Sequence, residues 1–219
     1  MGVAIEPAAA GTLVALLDAM SLERQNLSSV EGLAREVDVH LSDSLSGLVV
    51  PELASATALA DLGTGGGFPG LALAVVLPGA MVTLVESERR KAEWLTRASA
   101  GFPNVRIVAD RSESFARAER GTQPVVTARA LGPLPVVLEL AAPLLALDGV
   151  LVAWRGRPDA DALRVAARAA DVLGMAHSAE VRVDPIPGAS RHLSVWRKVA
   201  PTPERFPRRP GVAARRPLA

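Results

Sequence analysis

A glycine-rich segment constrains the fold of this 219-residue chain more than any other feature. Residues 61–70 read Asp-Leu-Gly-Thr-Gly-Gly-Gly-Phe-Pro-Gly, and they overlap an apolar run, Ala56–Leu62, that is typical of a buried strand. The helical pattern Pro69–Val76 follows. Because glycine has no Cβ and tolerates positive φ, a ligand can lie against such a backbone, near the unpaired N–H groups of the helix start. The segment therefore predicts a ligand-binding strand–loop–helix unit.

An acidic residue ends the next apolar run. Glu86 follows Met81–Val85 and lies a little over twenty residues after Gly63. A carboxylate in this position accepts hydrogen bonds from the ribose hydroxyls of a nucleoside. The loop and Glu86 together predict a nucleoside cofactor, whereas a tight turn beside an exposed glutamate is the simpler structural explanation.

The glycine spacing favours one cofactor over another. A dinucleotide-binding loop has the spacing Gly-x-Gly-x-x-Gly, whereas Gly63, Gly65 and Gly67 recur here at every second position. The wider loop suits S-adenosylmethionine, whose amino-acid tail needs room and polar partners. A nicotinamide-dependent oxidoreductase stays open as an alternative, although tyrosine and cysteine, two usual hydride-transfer residues, are absent from the chain.

The rest of the chain alternates between strand and helix patterns, which predicts an α/β fold with a largely parallel sheet covered on both faces. Residues 12–48 are expected to form an N-terminal helical extension. The last two strands have only a turn-rich segment between them, which predicts a C-terminal antiparallel hairpin, as in class I S-adenosylmethionine-dependent methyltransferases with their Rossmann-like sheet. We expect an extension over 1–50, a methyltransferase domain over 51–200 and a basic tail over 201–219. After Glu86 the predicted elements are helices Arg89–Ala100, Glu113–Ala118, Pro135–Leu145 and Ala160–Leu173, and strands Val105–Val108, Pro124–Ala128, Gly149–Trp154, Ala179–Val183 and Leu193–Arg197.

Composition excludes several kinds of site. The chain has no cysteine, so disulfides, thiolate zinc sites and cysteine nucleophiles are ruled out. The three histidines are far apart and show no metal-ligand spacing, so we expect no metal. The N-terminus lacks the charge of a signal peptide, and no apolar run is long enough for a membrane span. We therefore expect a cytoplasmic protein.

Basic residues concentrate at the C-terminus. From Arg197 to Ala219 there are seven basic residues and one acidic residue, Glu204. Such a tail can contact the phosphates of a nucleic acid, or it can be a solvated, disordered end.

The ordered set of motifs resembles the RsmG (GidB) family of bacterial small-subunit ribosomal RNA methyltransferases. The resemblance runs from about Asn26 to the C-terminus and is strongest over residues 61–70. Further matches are Glu86, Lys91 and Leu95, then Arg111-Ser112-Glu113, Thr127-Ala128-Arg129-Ala130, Trp154-Arg155-Gly156, Arg191-His192-Leu193 and the basic ending from Phe206 to Leu218. Near the N-terminus, Asn26-Leu27, His40 and Asp43-Ser44-Leu45 resemble the family pattern, but Val39 stands where an arginine is usual and Arg155 where a lysine is common.

The resemblance implies methyl transfer from S-adenosylmethionine to N7 of a guanine in 16S ribosomal RNA, with the RNA or the small ribosomal subunit as partner and a monomeric enzyme. It implies a cofactor site made of Gly63, Gly65, Gly67, Phe68, Glu86, Ser112, Glu113 and Arg129. Arg129 is the expected catalytic residue. The expected RNA-binding residues are His40, Arg155, Arg191, Arg208, Arg209, Arg215 and Arg216.

Methylation of guanine N7 does not require the catalytic cysteine that the chain lacks. N7 carries a free lone pair and no proton, so methylation needs positioning rather than a general base. Arg129 follows a strand, where α/β sheets place their ligands, although a salt bridge to Asp61 or Glu113 would also account for it. His40 could equally be a packed or capping residue. A non-catalytic RNA-binding protein that retains the fold is the remaining alternative.

Overall fold

A seven-stranded, mostly parallel sheet forms the centre of the computed structural model, which describes residues 5–23, 37–157, 159–185 and 191–218. The strands run in the order β3-β2-β1-β4-β5-β7-β6. Their bounds are β1 Ala58–Leu62, β2 Met81–Val85, β3 Val105–Val108, β4 Gln123–Arg129, β5 Leu145–Arg155, β6 Met175–Val183 and β7 Arg191–Lys198. This is the sheet order of an α/β fold in which the two halves diverge between β1 and β4.

Helices cover both faces of the sheet. They are α1 Pro7–Ser21, α2 Gly70–Val76, α3 Arg89–Ala98, α4 Ser112–Ala118, α5 Leu134–Ala141, α6 Ala160–Leu173 and α7 Val212–Arg215. One core joins α1, α2 and α3 to one face of the sheet through Leu17, Leu71 and Trp94. A second core packs the four helices α4, α5, α6 and α7 on the opposite face through Phe115, Leu138 and other apolar side chains. The central strands are therefore apolar on both sides, as parallel strands of this class are.

The parallel strands bring the predicted site residues to one edge of the sheet. Leu62 pairs with Val85 of β2 and with Ala128 of β4, so β1, β2 and β4 end at the same level. The glycine loop, Glu86 and Arg129 lie at or directly after these ends. The carboxyl edge is where ligands of open α/β sheets bind.

The C-terminal hairpin is antiparallel, as predicted: β7 pairs with both β5 and β6. Several boundaries differ from the prediction. Helix α5 ends at Ala141 rather than Leu145, because Leu145 already pairs with Gln123 in the sheet. Strand β6 begins at Met175 rather than Ala179, since Gly174 ends α6 in the left-handed conformation and leads directly into the strand. The left-handed conformation of Gly174, rather than an apolar period, sets the second boundary.

The N-terminal segment is helical where the structure describes it. After α1, residues 37–54 form a succession of short helical turns, Val37–Ser42, Asp43–Leu45, Ser46–Val49 and Pro51–Ala54. Asn26-Leu27 lies outside the described residues. Among the residues described, no helix is both long and apolar enough to cross a bilayer.

The basic C-terminal segment, residues 201–218, packs on the domain, which decides against the alternative of a solvated, disordered end. Phe206 and Ala213 are 3% and 2% exposed within the second core. Arg208 donates from Nε to both carboxylate oxygens of the fully buried Glu139, at 2.8 and 3.1 Å. The charge of the segment alone could not predict this packing, because Glu139, the carboxylate that pairs with Arg208, lies in the otherwise apolar helix α5.

Candidate functional site

A fully buried carboxylate fixes the glycine loop to the sheet. Asp61 Oδ2 accepts a hydrogen bond from the Gly70 N–H at 2.9 Å, and its Oδ1 accepts one from Thr127 Oγ1 at 2.8 Å. A Cβ on Gly70 would approach Asp61 Oδ2 to 2.9 Å and Leu84 Cδ2 to 2.2 Å, so no larger residue fits there. Burial raises the pKa of Asp61, and hydrogen bonds to its carboxylate and the charge of Arg129 oppose that rise. Asp61 thus holds both ends of the loop in register.

Glu86 closes the other side of the loop. Its side chain lies at the end of β2, where Oε2 accepts from the Gly65 N–H at 2.9 Å and Oε1 from the Glu88 N–H at 2.7 Å. The residue is 7% exposed. An ionised carboxylate has about four acceptor positions, so each oxygen keeps a lone pair for a further donor. That capacity matches the two adjacent hydroxyls of a ribose.

The loop glycines differ in what surrounds them. Gly63, Gly65 and Gly67 all have positive φ, of 62°, 60° and 105°, which only glycine adopts without strain. A Cβ on Gly67 would meet Leu71 Cδ1 at 2.4 Å, whereas a Cβ on Gly65 would have nothing nearer than the Gly63 carbonyl at 4.0 Å. Gly65 therefore faces open space beside Glu86, where a cofactor can lie against the backbone.

These features test whether a nucleoside sulfonium cofactor fits. The open face of Gly65 and the remaining acceptor positions of Glu86 suit an adenosyl ribose, and nothing in the loop provides the tight glycine spacing of a pyrophosphate site. Ser112 and Glu113 begin α4 after β3, next to this position along the sheet edge. The residues present fit S-adenosylmethionine.

The side chain of Glu113 has a partner that the sequence did not indicate. Its Oε1 accepts the Gly211 N–H of the C-terminal segment at 2.7 Å. Contact of Ser112 and Glu113 with an adenine remains a prediction. The hydrogen bond shows that the start of α4 is tied to the C-terminal segment.

Arg129 lies at the end of β4 and pairs with the N-terminal segment. Its Nη1 donates to Asp43 Oδ2 at 3.0 Å and to the Val39 carbonyl at 2.9 Å. The partner is therefore neither Asp61 nor Glu113, the two carboxylates that the sequence suggested. Ala130, next in the chain, has a φ of 56°, a left-handed conformation that costs a non-glycine residue about 1 kcal/mol.

His40 packs between Arg129 and the glycine loop. Its Nδ1 lies 3.5 Å from Arg129 Nη2, and its ring stacks on Phe68 with a centroid distance of 5.2 Å and an interplanar angle of 27°. Burial, assisted by the charge of Arg129, lowers the pKa of His40 from 6.5 to about 4. The ring is therefore neutral near pH 7 and supplies shape rather than charge. Phe68, 6% exposed, belongs to the core as well as to the loop.

Further arginines flank this position. Arg155 ends β5 and donates to the Gly132 carbonyl at 2.7 Å. Arg191 begins β7, and its Nε lies 3.3 Å from Asp43 Oδ1. His192, which pairs with Arg155 in the sheet, has Nδ1 3.1 Å from the Gly156 carbonyl. The ends of β4 and β5 and the start of β7 thus bring basic side chains to the same sheet edge as the glycine loop.

The chain is similar to proteins of one known family. The family model described as "GidB: rRNA small subunit methyltransferase G" matches residues 10–193. The chain belongs to the RsmG (GidB) family. A "Ribosomal RNA small subunit methyltransferase G" of Chloroflexus aggregans is 42% identical over 202 residues, covering 90% of this chain and 84% of that protein. Its namesake in Deinococcus radiodurans is 38% identical, covering 94% and 83%. This membership decides against the nicotinamide-dependent oxidoreductase.

Solved structures share the fold of this RsmG-family chain. A 16S rRNA (adenine(1408)-N(1))-methyltransferase of Catenulisporales acidiphilia matches with a TM-score of 0.57 and 18% identity, over 72% of this chain and 93% of the other. A 1,6-didemethyltoxoflavin-N1-methyltransferase of Burkholderia thailandensis matches with a TM-score of 0.56 and 15% identity, over 91% and 94%. The class I S-adenosylmethionine-dependent methyltransferase fold predicted from the sequence is confirmed.

The structure brings most of the predicted RsmG site together at one edge of the sheet. Gly63, Gly65, Gly67, Phe68, Glu86, Arg129, His40, Arg155 and Arg191 lie along the carboxyl edge of the sheet or pack directly against it. Arg209, Arg215 and Arg216 are exposed on the C-terminal segment, whereas Arg208 is engaged by Glu139. Their contact with RNA remains a prediction. Across the described ranges, no cluster of three or more His, Asp or Glu could hold a metal ion.

Two residues organise the site in ways that the sequence patterns did not predict. Asp61 precedes the loop in the sequence, but no local pattern predicts its pairing with Gly70 and Thr127. Asp43 stands out in the sequence only through the family-like Asp43-Ser44-Leu45 pattern. A sequence offers little signal for its pairing with Arg129, which lies 86 positions further along the chain.

Proposed function

We propose that this chain transfers the methyl group of S-adenosylmethionine to N7 of a guanine in 16S ribosomal RNA. The observation that carries the proposal is the arrangement of Glu86 and the open face of Gly65 at the same sheet edge as Arg129. Family membership adds the substrate class, since relatives over most of the chain are named for the small-subunit ribosomal RNA.

Each part of the cofactor site has a proposed task. The cofactor, when bound, supplies an electrophilic methyl group. The Glu86 carboxylate accepts the ribose hydroxyls, and the backbone of residues 63–67 lies against the amino-acid tail. The first turn of α4, with Ser112 and Glu113, borders the adenine. These residues bind and orient the cofactor.

The side chains near Arg129 suit a reaction that removes no proton. His40, with its pKa lowered to about 4, is a poor proton acceptor at neutral pH, and Asp43 is paired with arginines. A nucleophile that carries a free lone pair, such as guanine N7, needs only alignment with the methyl group. Arg129 can hold the guanine O6 or a neighbouring phosphate through its planar guanidinium.

The surrounding basic side chains are proposed to bind the RNA backbone. Arg155 and Arg191 flank Arg129, while Arg209, Arg215 and Arg216 lie exposed on the C-terminal segment. Contacts to phosphates give affinity that falls with salt and carry little sequence information. We further propose that the enzyme acts as a metal-free monomer in the cytoplasm, on 16S RNA or the small ribosomal subunit.

A methyl-transfer assay with the purified chain tests this function. The chain is incubated with S-adenosylmethionine labelled in its methyl group and with small ribosomal subunits or naked 16S RNA, and the RNA is digested to nucleosides. The proposal expects label in N7-methylguanosine. Cofactor binding without transfer to either substrate would favour the non-catalytic RNA-binding protein. Label in another nucleoside would overturn the N7 assignment.

A further inference from the structure

A buried carboxylate on the N-terminal segment connects three elements of the site. Asp43 begins the helical turn Asp43–Leu45, and its side chain is 7% exposed. Its two oxygens face different arginines: Oδ2 lies 3.0 Å from Arg129 Nη1 and Oδ1 lies 3.3 Å from Arg191 Nε. One carboxylate therefore lies between the end of β4 and the start of β7.

The backbone of the same residue is anchored to the sheet. The Asp43 carbonyl accepts a hydrogen bond from the indole Nε1 of Trp154 at 2.7 Å, and Trp154 is 4% exposed in β5. Gly47 makes this approach feasible, since a Cβ there would come within 2.3 Å of the indole ring. The Asp43 side chain is thus placed by rigid packing, which is the condition for a group that must orient others.

The carboxylate orients Arg129 through a hydrogen bond and faces Arg191 as an ion pair without one. Arg129 uses Nη1 for Asp43 and the Val39 carbonyl, which fixes the plane of its guanidinium and directs Nη2 towards His40. The side chain of Arg129 is only 17% exposed, so few other groups can compensate for a lost partner. Two arginines beside one carboxylate also leave the group with net positive charge, which attracts the electron-rich edge of a guanine or a phosphate.

We infer that Asp43 is a positioning residue that holds Arg129 and Arg191 in the arrangement that receives the target guanine and its phosphates. This inference rests on the proposed function. It assigns the N-terminal segment a part in the RNA target site, in addition to its packing against the glycine loop through the His40–Phe68 stack. Asp43 does not touch the reacting atoms and acts through the two guanidinium groups.

The test compares Asp43→Asn with Asp38→Asn. Asp38 lies in the preceding helical turn of the same segment, and its substitution makes the same change of charge. Asp43→Asn is expected to lower kcat for ribosomal RNA by about 100-fold, the cost of a misplaced binding group. The dissociation constant for S-adenosylmethionine, measured by calorimetry, should stay unchanged. Asp38→Asn should match the wild type in both.

A double-mutant cycle separates orientation from general damage. Arg129→Gln alone is expected to lower kcat, and adding Asp43→Asn should lower it little further, because the group that Asp43 orients is already gone. Independent losses that multiply in the double variant would overturn the inference, as would full activity in Asp43→Asn. If Asp43→Asn does not fold, Asp43→Glu keeps the charge but shifts it by one methylene, and the same loss of kcat is expected. Failure of both variants to fold would assign Asp43 to stability alone and overturn the inference.

The outcome is distinguishable from failure of the proposed function. If the wild type transfers no methyl group to ribosomal RNA, the proposed function fails. The contacts of Asp43 with the two arginines can then still be measured through the Nε–H signals of Arg129 and Arg191 in nitrogen-15 NMR spectra. Both signals should move in Asp43→Asn and neither in Asp38→Asn. Unmoved signals would show that the carboxylate does not hold the arginines.

Discussion

Replacing Glu86 with glutamine should weaken cofactor binding while leaving the fold intact. The carboxylate already accepts the Gly65 and Glu88 N–H groups at 2.9 and 2.7 Å, and the proposed function adds two ribose hydroxyls. Glutamine has a single acceptor oxygen, so its NH2 group would face backbone N–H groups or ribose hydroxyls that also donate. The neutral amide also loses the charge that strengthens each remaining hydrogen bond.

The size of the effect follows from these contacts. Hydrogen bonds to a charged group contribute about 1–1.5 kcal/mol more than neutral ones, so two ribose contacts account for about 2–3 kcal/mol. This corresponds to a dissociation constant roughly 30- to 150-fold higher. Calorimetric titration of S-adenosylmethionine into wild type and Glu86→Gln measures it directly.

A neighbouring residue provides the control. Glu88 lies two positions away, is half-exposed and pairs with Lys91 at 2.8 Å, so Glu88→Gln makes the same chemical change outside the loop. Equal affinity in wild type and Glu86→Gln would refute the assignment of Glu86 to the ribose. Equal weakening by Glu88→Gln would show that overall charge, not the ribose contact, sets the affinity.

Three further variants test the loop, the C-terminal segment and the buried histidine. Gly65→Ala should lower the free energy of unfolding by about 1–2 kcal/mol because of its φ of 60°, and it should also weaken cofactor binding. Denaturation measures the first effect and calorimetry the second. The exposed Gly79→Ala should change neither quantity. Arg208→Met should lower the free energy of unfolding, measured by urea denaturation, by roughly 3 kcal/mol because it leaves the buried Glu139 unpaired. The exposed Arg209→Met should leave the free energy of unfolding unchanged. Equal effects of the two variants would contradict the packing of the C-terminal segment on the domain. The pKa of His40 falls from 6.5 to about 4 on folding, so the unfolded chain binds more protons between these values and stability should drop as pH falls from 6.5 towards 4. His40→Asn should lose that part of the pH dependence, and an unchanged profile would contradict the burial of His40.

The glycine loop and Glu86 were predictable because their signal is local. Glycines at residues 63–67, a preceding apolar strand and a carboxylate after the next strand specify a nucleoside site within about thirty residues. The parallel sheet then follows from the alternation of strands and helices, and it brings Arg129 to the same edge without further information.

The contacts that complete the site were not predictable, because they join distant parts of the chain. The sequence offered Asp61 and Glu113 as candidate partners of Arg129, whereas tertiary packing pairs it with Asp43. The charge of the C-terminal segment left a phosphate-binding tail and a solvated tail both open, and neither alternative indicated that Glu139 holds Arg208. A single glutamate in the apolar helix Leu134–Ala141 was the one available sign that a buried cation would be needed there.

Nucleoside mapping of 16S ribosomal RNA by mass spectrometry tests the central claim most directly. RNA from cells that carry the gene is compared with RNA from cells that lack it and from the deletion strain complemented with wild type or with Glu86→Gln. The account predicts one N7-methylguanosine that disappears on deletion, returns with the wild type and returns poorly with Glu86→Gln. An unchanged methylation profile in the deletion strain would contradict it.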